Sequence, residues 1–225
     1  MRKLRVLTVL LVCLLAISLA HAGKLPNPKK VPFEEAVTML NTPQLVQSWL
    51  YRYFRYDMKK LKRLVKKYKE SCADEERWTA KEPTMWVEDL AYPSETYHRK
   101  KGVCFDAGNF AAYCLHKAGY DVVVLSVKYE RYTKGRACTH TVCVFKSKKN
   151  GKWYIAGDTR QFRRRTRKGE IDGPYNSIHE AAKDLAKVVR KKLKYYFLGR
   201  KKFEGDTEFA GLQINGEKLA LSGDR

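Results

Sequence analysis

The sequence predicts an α+β fold in which helices come first and an antiparallel sheet follows. Apolar residues recur every three or four positions over residues 43–68 and again over 104–118, the spacing of one helix face. β-Branched runs at 122–127 and 139–145 indicate buried strands. Helices followed by strands, without alternation, are typical of α+β proteins. We expect the helix beginning at Cys104 to pack on the sheet, with further helices at both ends of the chain.

Residues 1–22 have the features of a secretory signal peptide. A basic start precedes an apolar run over 6–20, and Ala20 and Ala22 flank a cleavage site of the small-x-small type. The run is too short for a membrane span, and no later segment is long and apolar enough for one. We expect export to the periplasm or the extracellular space. The mature chain, beginning near Gly23, has about 203 residues, enough for one well-packed domain.

The charge predicts anionic partners. The chain has 46 Lys and Arg against 24 Asp and Glu, a net charge of +22, and about +19 remains without the signal. This excess attracts polyanions such as acidic cell-wall polymers, lipid head groups or extracellular nucleic acid. Solubility alone is the alternative reason for it. The basic residues that we expect to form the surface are Arg163, Arg164, Arg165, Arg167, Lys187, Arg190 and Lys191.

The N-terminal elements follow from periodicity and capping residues. A lead segment and a short helix occupy residues 23–40. Thr42 is expected to cap the next helix and Pro43 suits its first position. Its pattern continues to Tyr68 with a bend near Tyr56-Asp57. Residues 71–99 lose periodicity, and their aromatic residues indicate an ordered loop.

The central segment predicts one helix and three strands. Helical spacing runs from Cys104 to Lys117, and Gly119 stops the helix. Residues 122–127 form the first predicted strand, and 139–145 and 152–156 form a hairpin. We place the central domain at 41–165.

The C-terminal part, 166–225, is expected to hold a basic helix and a polar tail. Asn176-Ser177 caps this predicted helix, which continues through Phe197 to Gly199 with a basic outer face. Asn215-Gly216 indicates a hairpin turn in the tail. Residues 163–168 are expected to be a solvated basic loop.

The cysteines leave two hypotheses open. Of the six cysteines, Cys13 lies in the signal, so five remain, and an odd number leaves at least one free thiol. If that thiol is Cys104, the other four either form two disulfides, in one of three pairings, or stay reduced. The opposing hypothesis makes Cys104 itself a disulfide partner. These four other cysteines are Cys72, Cys114, Cys138 and Cys143.

Cys104 is placed to be a nucleophile. A helix N-terminus stabilises a thiolate, and a neighbouring imidazolium does so more strongly. His140 is the best partner, because it begins a strand and Asp158, which would hold its ring, follows the next strand. His116 lies more than three turns along the helix from the thiol. His98 and His179 have no evident role in the site.

The hairpin loop decides whether His140 meets Asp158. A two-residue turn at Asn150-Gly151, which this dipeptide favours, would put His140 opposite Gln161. A five-residue loop over 147–151 would put it directly opposite Asp158. The functional hypothesis therefore predicts the longer loop, or a bulge that restores the same register.

These residues together resemble a known family. Gly102-Val103-Cys104-Phe105-Asp106-Ala107, then Thr139-His140-Thr141-Val142, then Gly157-Asp158, is similar to the transglutaminase-like superfamily, and more narrowly to its bacterial cysteine proteinases. The resemblance covers about residues 40 to 165. It implies a papain-like core and a Cys104, His140 and Asp158 triad.

The resemblance also implies a chemistry. Cys104 would attack an amide or peptide carbonyl and form a thioester, with hydrolysis favoured over transamidation and with no cofactor or metal. The backbone N–H of Cys104 would be one oxyanion donor; for the second donor and the cleft we name Trp86 and Tyr92. The alternative function is a polyanion- or cell-wall-binding protein on the same scaffold, whose chemistry is incidental.

Overall fold

A computed structural model describes residues 25–67, 91–129, 139–159, 170–188 and 193–199. The helices are α1 Phe33–Met39, α2 Pro43–Tyr53, α3 Met58–Lys67, α4 Pro93–Arg99, α5 Cys104–Lys117 and α6 Ile178–Val188. The strands are β1 Arg55–Tyr56, β2 Lys101–Gly102, β3 Asp121–Tyr129, β4 Thr139–Lys146, β5 Trp153–Ala156, β6 Asp172–Tyr175 and β7 Leu193–Gly199. Within these ranges no helix is both long and apolar enough to cross a bilayer.

The main sheet is antiparallel and has helices on both faces. Its strand order is β6-β5-β4-β3-β7, and every neighbouring pair is antiparallel. One face, with Cys143 and Phe145, packs in one core with α1, α2 and α5. The other face, with Val142 and Val144, packs against the alanines and Leu185 of α6. The predicted α+β class is confirmed, and α5 is the helix packed on the sheet.

The first helices form as the sequence predicts. The Thr42 hydroxyl accepts the Leu45 backbone N–H at 3.3 Å, and Pro43 occupies the first turn of α2. The predicted bend is a full break, since α2 ends at Tyr53 and β1 intervenes before α3. The α1 helix lies in the same core as α5.

Two predictions of local structure are wrong. Residues 93–99, expected in a loop, form α4, which Pro93 begins at its first position. Residues 193–199, expected to continue the basic helix, form β7 and pair with β3. The aromatic run Tyr195-Tyr196-Phe197 suits a strand, and pairing satisfies backbone groups at the edge of β3 that a helix would leave open.

The hairpin between β4 and β5 has the longer loop, but its register differs by one residue. Lys146 pairs with Trp153, so the loop has six residues, closed by a 2.8 Å backbone hydrogen bond between its first and last residues. Continued to the start of β4, this register would place Thr159 opposite His140. The expectation that Asp158 pairs directly with His140 is wrong.

Several predicted features lie outside the described residues. These are the signal peptide, Cys72, Trp86, Cys138, residues 163–168, Arg190, Lys191 and Asn215-Gly216.

Candidate active site

Cys104 lies at the first position of α5, buried with 6% exposure. The chain reaches it through β2, which pairs in parallel with β1. No disulfide involves any of the three described cysteines, and Cys104 is a free thiol. The helix therefore presents a thiol where unpaired N–H groups favour negative charge.

Asp106 anchors the turn that carries this thiol. Its carboxylate, fully buried, accepts the Val103 backbone N–H at 2.7 Å and the Ala91 backbone N–H at 2.9 Å. The Lys60 ammonium of α3 lies 2.9 Å from both carboxylate oxygens. A Cβ at Gly102 would overlap this carboxylate, so only glycine fits there. Two separate segments, those of Lys60 and Ala91, are thus tied to the start of α5.

His140 and Asp158 form a buried pair beside the thiol. His140 Nε2 lies 2.9 Å from Asp158 Oδ1, and the two residues are 7% and 1% exposed. Gly157 makes this contact possible in the observed register: its φ of +72° ends the extended chain after β5 and redirects Asp158. The Gln47 side chain holds this turn by accepting the Gly157 backbone N–H at 2.9 Å.

The pair and the thiol shift each other's pKa. Burial by itself lowers the pKa of His140, but the charge and hydrogen bond of Asp158, and then the thiolate of Cys104, raise it to about 9. Burial by itself raises the pKa of the Cys104 thiol, but the hydrogen bond and charge of His140 outweigh it. Hydrogen bonds from the Thr141 backbone and the Tyr56 hydroxyl add to this lowering. Each partner thus favours the charged form of the other, the thiolate of Cys104 beside the imidazolium of His140.

The other described cysteines are unreactive by the same reasoning. Cys114 and Cys143 are fully buried in the apolar core, and burial raises the pKa of each thiol above its ordinary value. Among the described residues, neither has a cation partner that offsets the burial. A thiolate is therefore favoured at Cys104 alone among the three.

The remaining predicted residues lie apart from this cluster or at its edge. Tyr92 is 50% exposed and precedes α4, directly after the Ala91 that binds Asp106. Among the residues expected to form the basic surface, Lys187 is described and is exposed on α6. His116 is exposed near the end of α5, away from the thiol.

Sequence reasoning missed Tyr56 and the anchoring role of Asp106. Tyr56 comes from β1, more than forty residues before the nucleophile, yet its hydroxyl reaches the Cys104 sulfur. The sequence feature that could have indicated Tyr56 is the predicted bend at Tyr56-Asp57. After this bend the chain leaves β1, and it pairs with β1 again at β2. No periodicity predicts a two-residue parallel ribbon, because it depends on a partner far along the chain.

Much of the chain is similar to a known protein family. A family model described as a transglutaminase-like domain matches residues 33–157, more than half of the chain. The match includes Cys104 and His140 and ends one residue before Asp158. A search of curated proteins found no significant match.

Proposed function

Because the chain belongs to the transglutaminase-like family, we propose that it is an exported cysteine-dependent enzyme acting on amide or peptide bonds. The observation that supports this most is the buried 2.9 Å contact of His140 with Asp158 beside the free thiol of Cys104. The position of Cys104 at the start of a helix that packs against an antiparallel sheet also supports a papain-like arrangement of the core.

The proposed reaction begins with the thiolate–imidazolium pair. The Cys104 sulfur attacks the carbonyl carbon, and the C=O π electrons move onto oxygen. Because Nε2 of His140 is held by Asp158, the proton passes from Nδ1 to the departing amine as the C–N bond breaks. A thioester on Cys104 remains, and His140 is neutral and ready to act as a base.

The acceptor decides the name of the reaction. Water activated by His140 gives hydrolysis and releases a carboxylic acid, whereas an amine such as a lysine side chain gives transamidation. We propose hydrolysis as the main reaction, as the resemblance to bacterial cysteine proteinases favours. The family includes both cysteine peptidases and acyltransferases, so one assay has to read both products.

The test uses the mature chain with a glutamine-containing peptide and a primary amine, and reads cleavage, deamidation and ligation by mass in one sample. We expect a thioester adduct on Cys104 and mainly hydrolytic products. Cys104→Ala should abolish all of them, while the matched control Cys114→Ala, a buried thiol outside the site, keeps them. Full activity in Cys104→Ala would contradict the proposal.

A second function, binding of a polyanion, is favoured by the outer face of α3. Lys59, Lys62, Arg63 and Lys66 are exposed there, and α3 contains no acidic residue. We propose that this face adds to the attraction expected from the net charge of +22. Poly-L-glutamate binding should fall steeply with salt and with replacement of these four residues by serine, and should be unchanged in Cys104→Ala. Binding insensitive to salt would refute this second function.

A further inference from the structure

Tyr56 lies beside the segment that carries the nucleophile. In the β1–β2 ribbon it pairs with Gly102, two residues before Cys104. The backbone N–H groups of Arg55 and Asp57, on either side of it, donate to carbonyls of that segment at 2.8 and 2.7 Å. The backbone of Tyr56 is therefore fixed relative to Cys104 by hydrogen bonds on both sides.

The side chain of Tyr56 is fixed as well. Its ring packs against the small apolar cluster of Leu64 and Val103. Immediately after it, the Asp57 carboxylate starts α3 by accepting the backbone N–H of Lys60 at 2.9 Å. From this half-buried position the Tyr56 hydroxyl hydrogen-bonds to the sulfur of Cys104.

We propose that the Tyr56 hydroxyl is the second donor of the oxyanion hole, beside the backbone N–H of Cys104. This inference rests on the proposed function. The sequence pointed to Trp86 or Tyr92 for that role; Trp86 lies outside the described residues, and Tyr92 is 50% exposed. Tyr56 is the described side-chain hydroxyl that reaches the reacting sulfur.

The chemistry explains why a donor to the sulfur also serves the oxyanion. When the C–S bond forms, the sulfur loses its negative charge and the former carbonyl oxygen, two bonds away, gains it. A hydroxyl within reach of the sulfur needs only a small rotation to follow the charge to that oxygen. An interaction that strengthens in this way between ground state and transition state lowers the barrier.

A simpler role has to be separated from this one. If Tyr56 only stabilises the thiolate, its removal raises the pKa of Cys104, and the loss of activity disappears once the pH is high enough to form the thiolate fully. If Tyr56 is an oxyanion donor, the loss of activity persists at the pH values where Cys104 is fully a thiolate, which form the plateau of the pH profile. Alkylation of Cys104 reports the thiolate alone, because it forms no oxyanion.

The experiment compares the mature wild type with Tyr56→Phe, Tyr92→Phe and Tyr51→Phe. Tyr51, on α2 and 40% exposed, is the matched control. For each protein, kcat/KM for amide cleavage and the rate of iodoacetamide alkylation of Cys104 are measured against pH. We expect Tyr56→Phe to lose about 100-fold or more in plateau kcat/KM, with a plateau alkylation rate changed by less than about threefold. Tyr51→Phe should match the wild type.

Three outcomes overturn the inference. If the loss of kcat/KM in Tyr56→Phe vanishes at pH values where Cys104 is fully a thiolate, Tyr56 only stabilises the thiolate. A large loss in Tyr92→Phe with none in Tyr56→Phe would assign the donor to Tyr92. A wild type that forms no thioester and cleaves no amide would remove the proposed function and this inference together. Comparable alkylation plateaus show that each variant is folded at the site.

Discussion

Replacing Asp106 by alanine should destabilise the whole chain more than any surface change. The substitution leaves the backbone N–H groups of Val103 and Ala91 buried without an acceptor, and leaves the Lys60 charge unpaired at 13% side-chain exposure. Loss of one partner from a buried ion pair costs about 3–5 kcal/mol, and each orphaned buried donor about 1–3 kcal/mol. Lys60 can turn partly to water, so we take the lower ends, on the order of 5 kcal/mol.

The assay is urea unfolding of residues 23–225, followed by circular dichroism. Glu95→Gln is the matched control, because it removes the charge of an exposed pair with Arg99 but keeps an acceptor for the Tyr92 backbone N–H. That control should lose less than about 0.5 kcal/mol. Asp106→Asn, which keeps one acceptor oxygen, should fall between the two. An Asp106→Ala variant within about 1 kcal/mol of the wild type would refute the anchoring argument.

Four further predictions follow from the site. Activity should fall on the alkaline side as His140 loses its proton near pH 9, and Asp158→Asn, which removes the charge that raises this pKa, should move that limb to lower pH. Protonated His140 contributes to the free energy of unfolding in full below its unfolded pKa of about 6.5. Urea titrations at a series of pH values should show this contribution lost as the pH rises through about 9. Iodoacetamide at neutral pH should label Cys104 and neither of the other two described cysteines, as read by peptide mass; equal labelling would contradict the thiolate assignment. Gly157→Ala should lower the free energy of unfolding by about 1–2 kcal/mol because of the positive φ alone. The Ala107 carbonyl oxygen, 3.0 Å from the new Cβ, should lower it further, and activity should drop as well. Unfolding and activity like those of the wild type would show that this turn does not position Asp158.

The course of β7 shows why part of the fold was not predictable. Residues 178–197 keep apolar positions at helical spacing, but from 193 the same residues also suit a strand. These residues form a strand because the edge of β3 offers backbone hydrogen-bond partners to them. Such partners come from a distant part of the chain, so no local sequence pattern contains them. By contrast, α5 begins at Cys104 and ends at Lys117 as expected, because its start, periodicity and stop at Gly119 are all local signals.

The site shows the same division. The structure brings Cys104, His140 and Asp158 together as the order of helix, strand and hairpin predicts, although the assumed register was wrong by one residue. The contact forms because Gly157 leaves the strand with a positive φ, a conformation that the sequence permits and does not require.

What the sequence alone determined is the local chemistry: a thiol at a helix start, a histidine at a strand start and a carboxylate after the next strand. Periodicity, capping residues and chain order carry that information, since each acts within a few residues. Only the tertiary structure decided which distant groups surround the thiol. The Tyr56 hydroxyl and the Lys60 ammonium reach α5 from β1 and α3, because a two-residue ribbon and a buried carboxylate join segments more than forty residues apart.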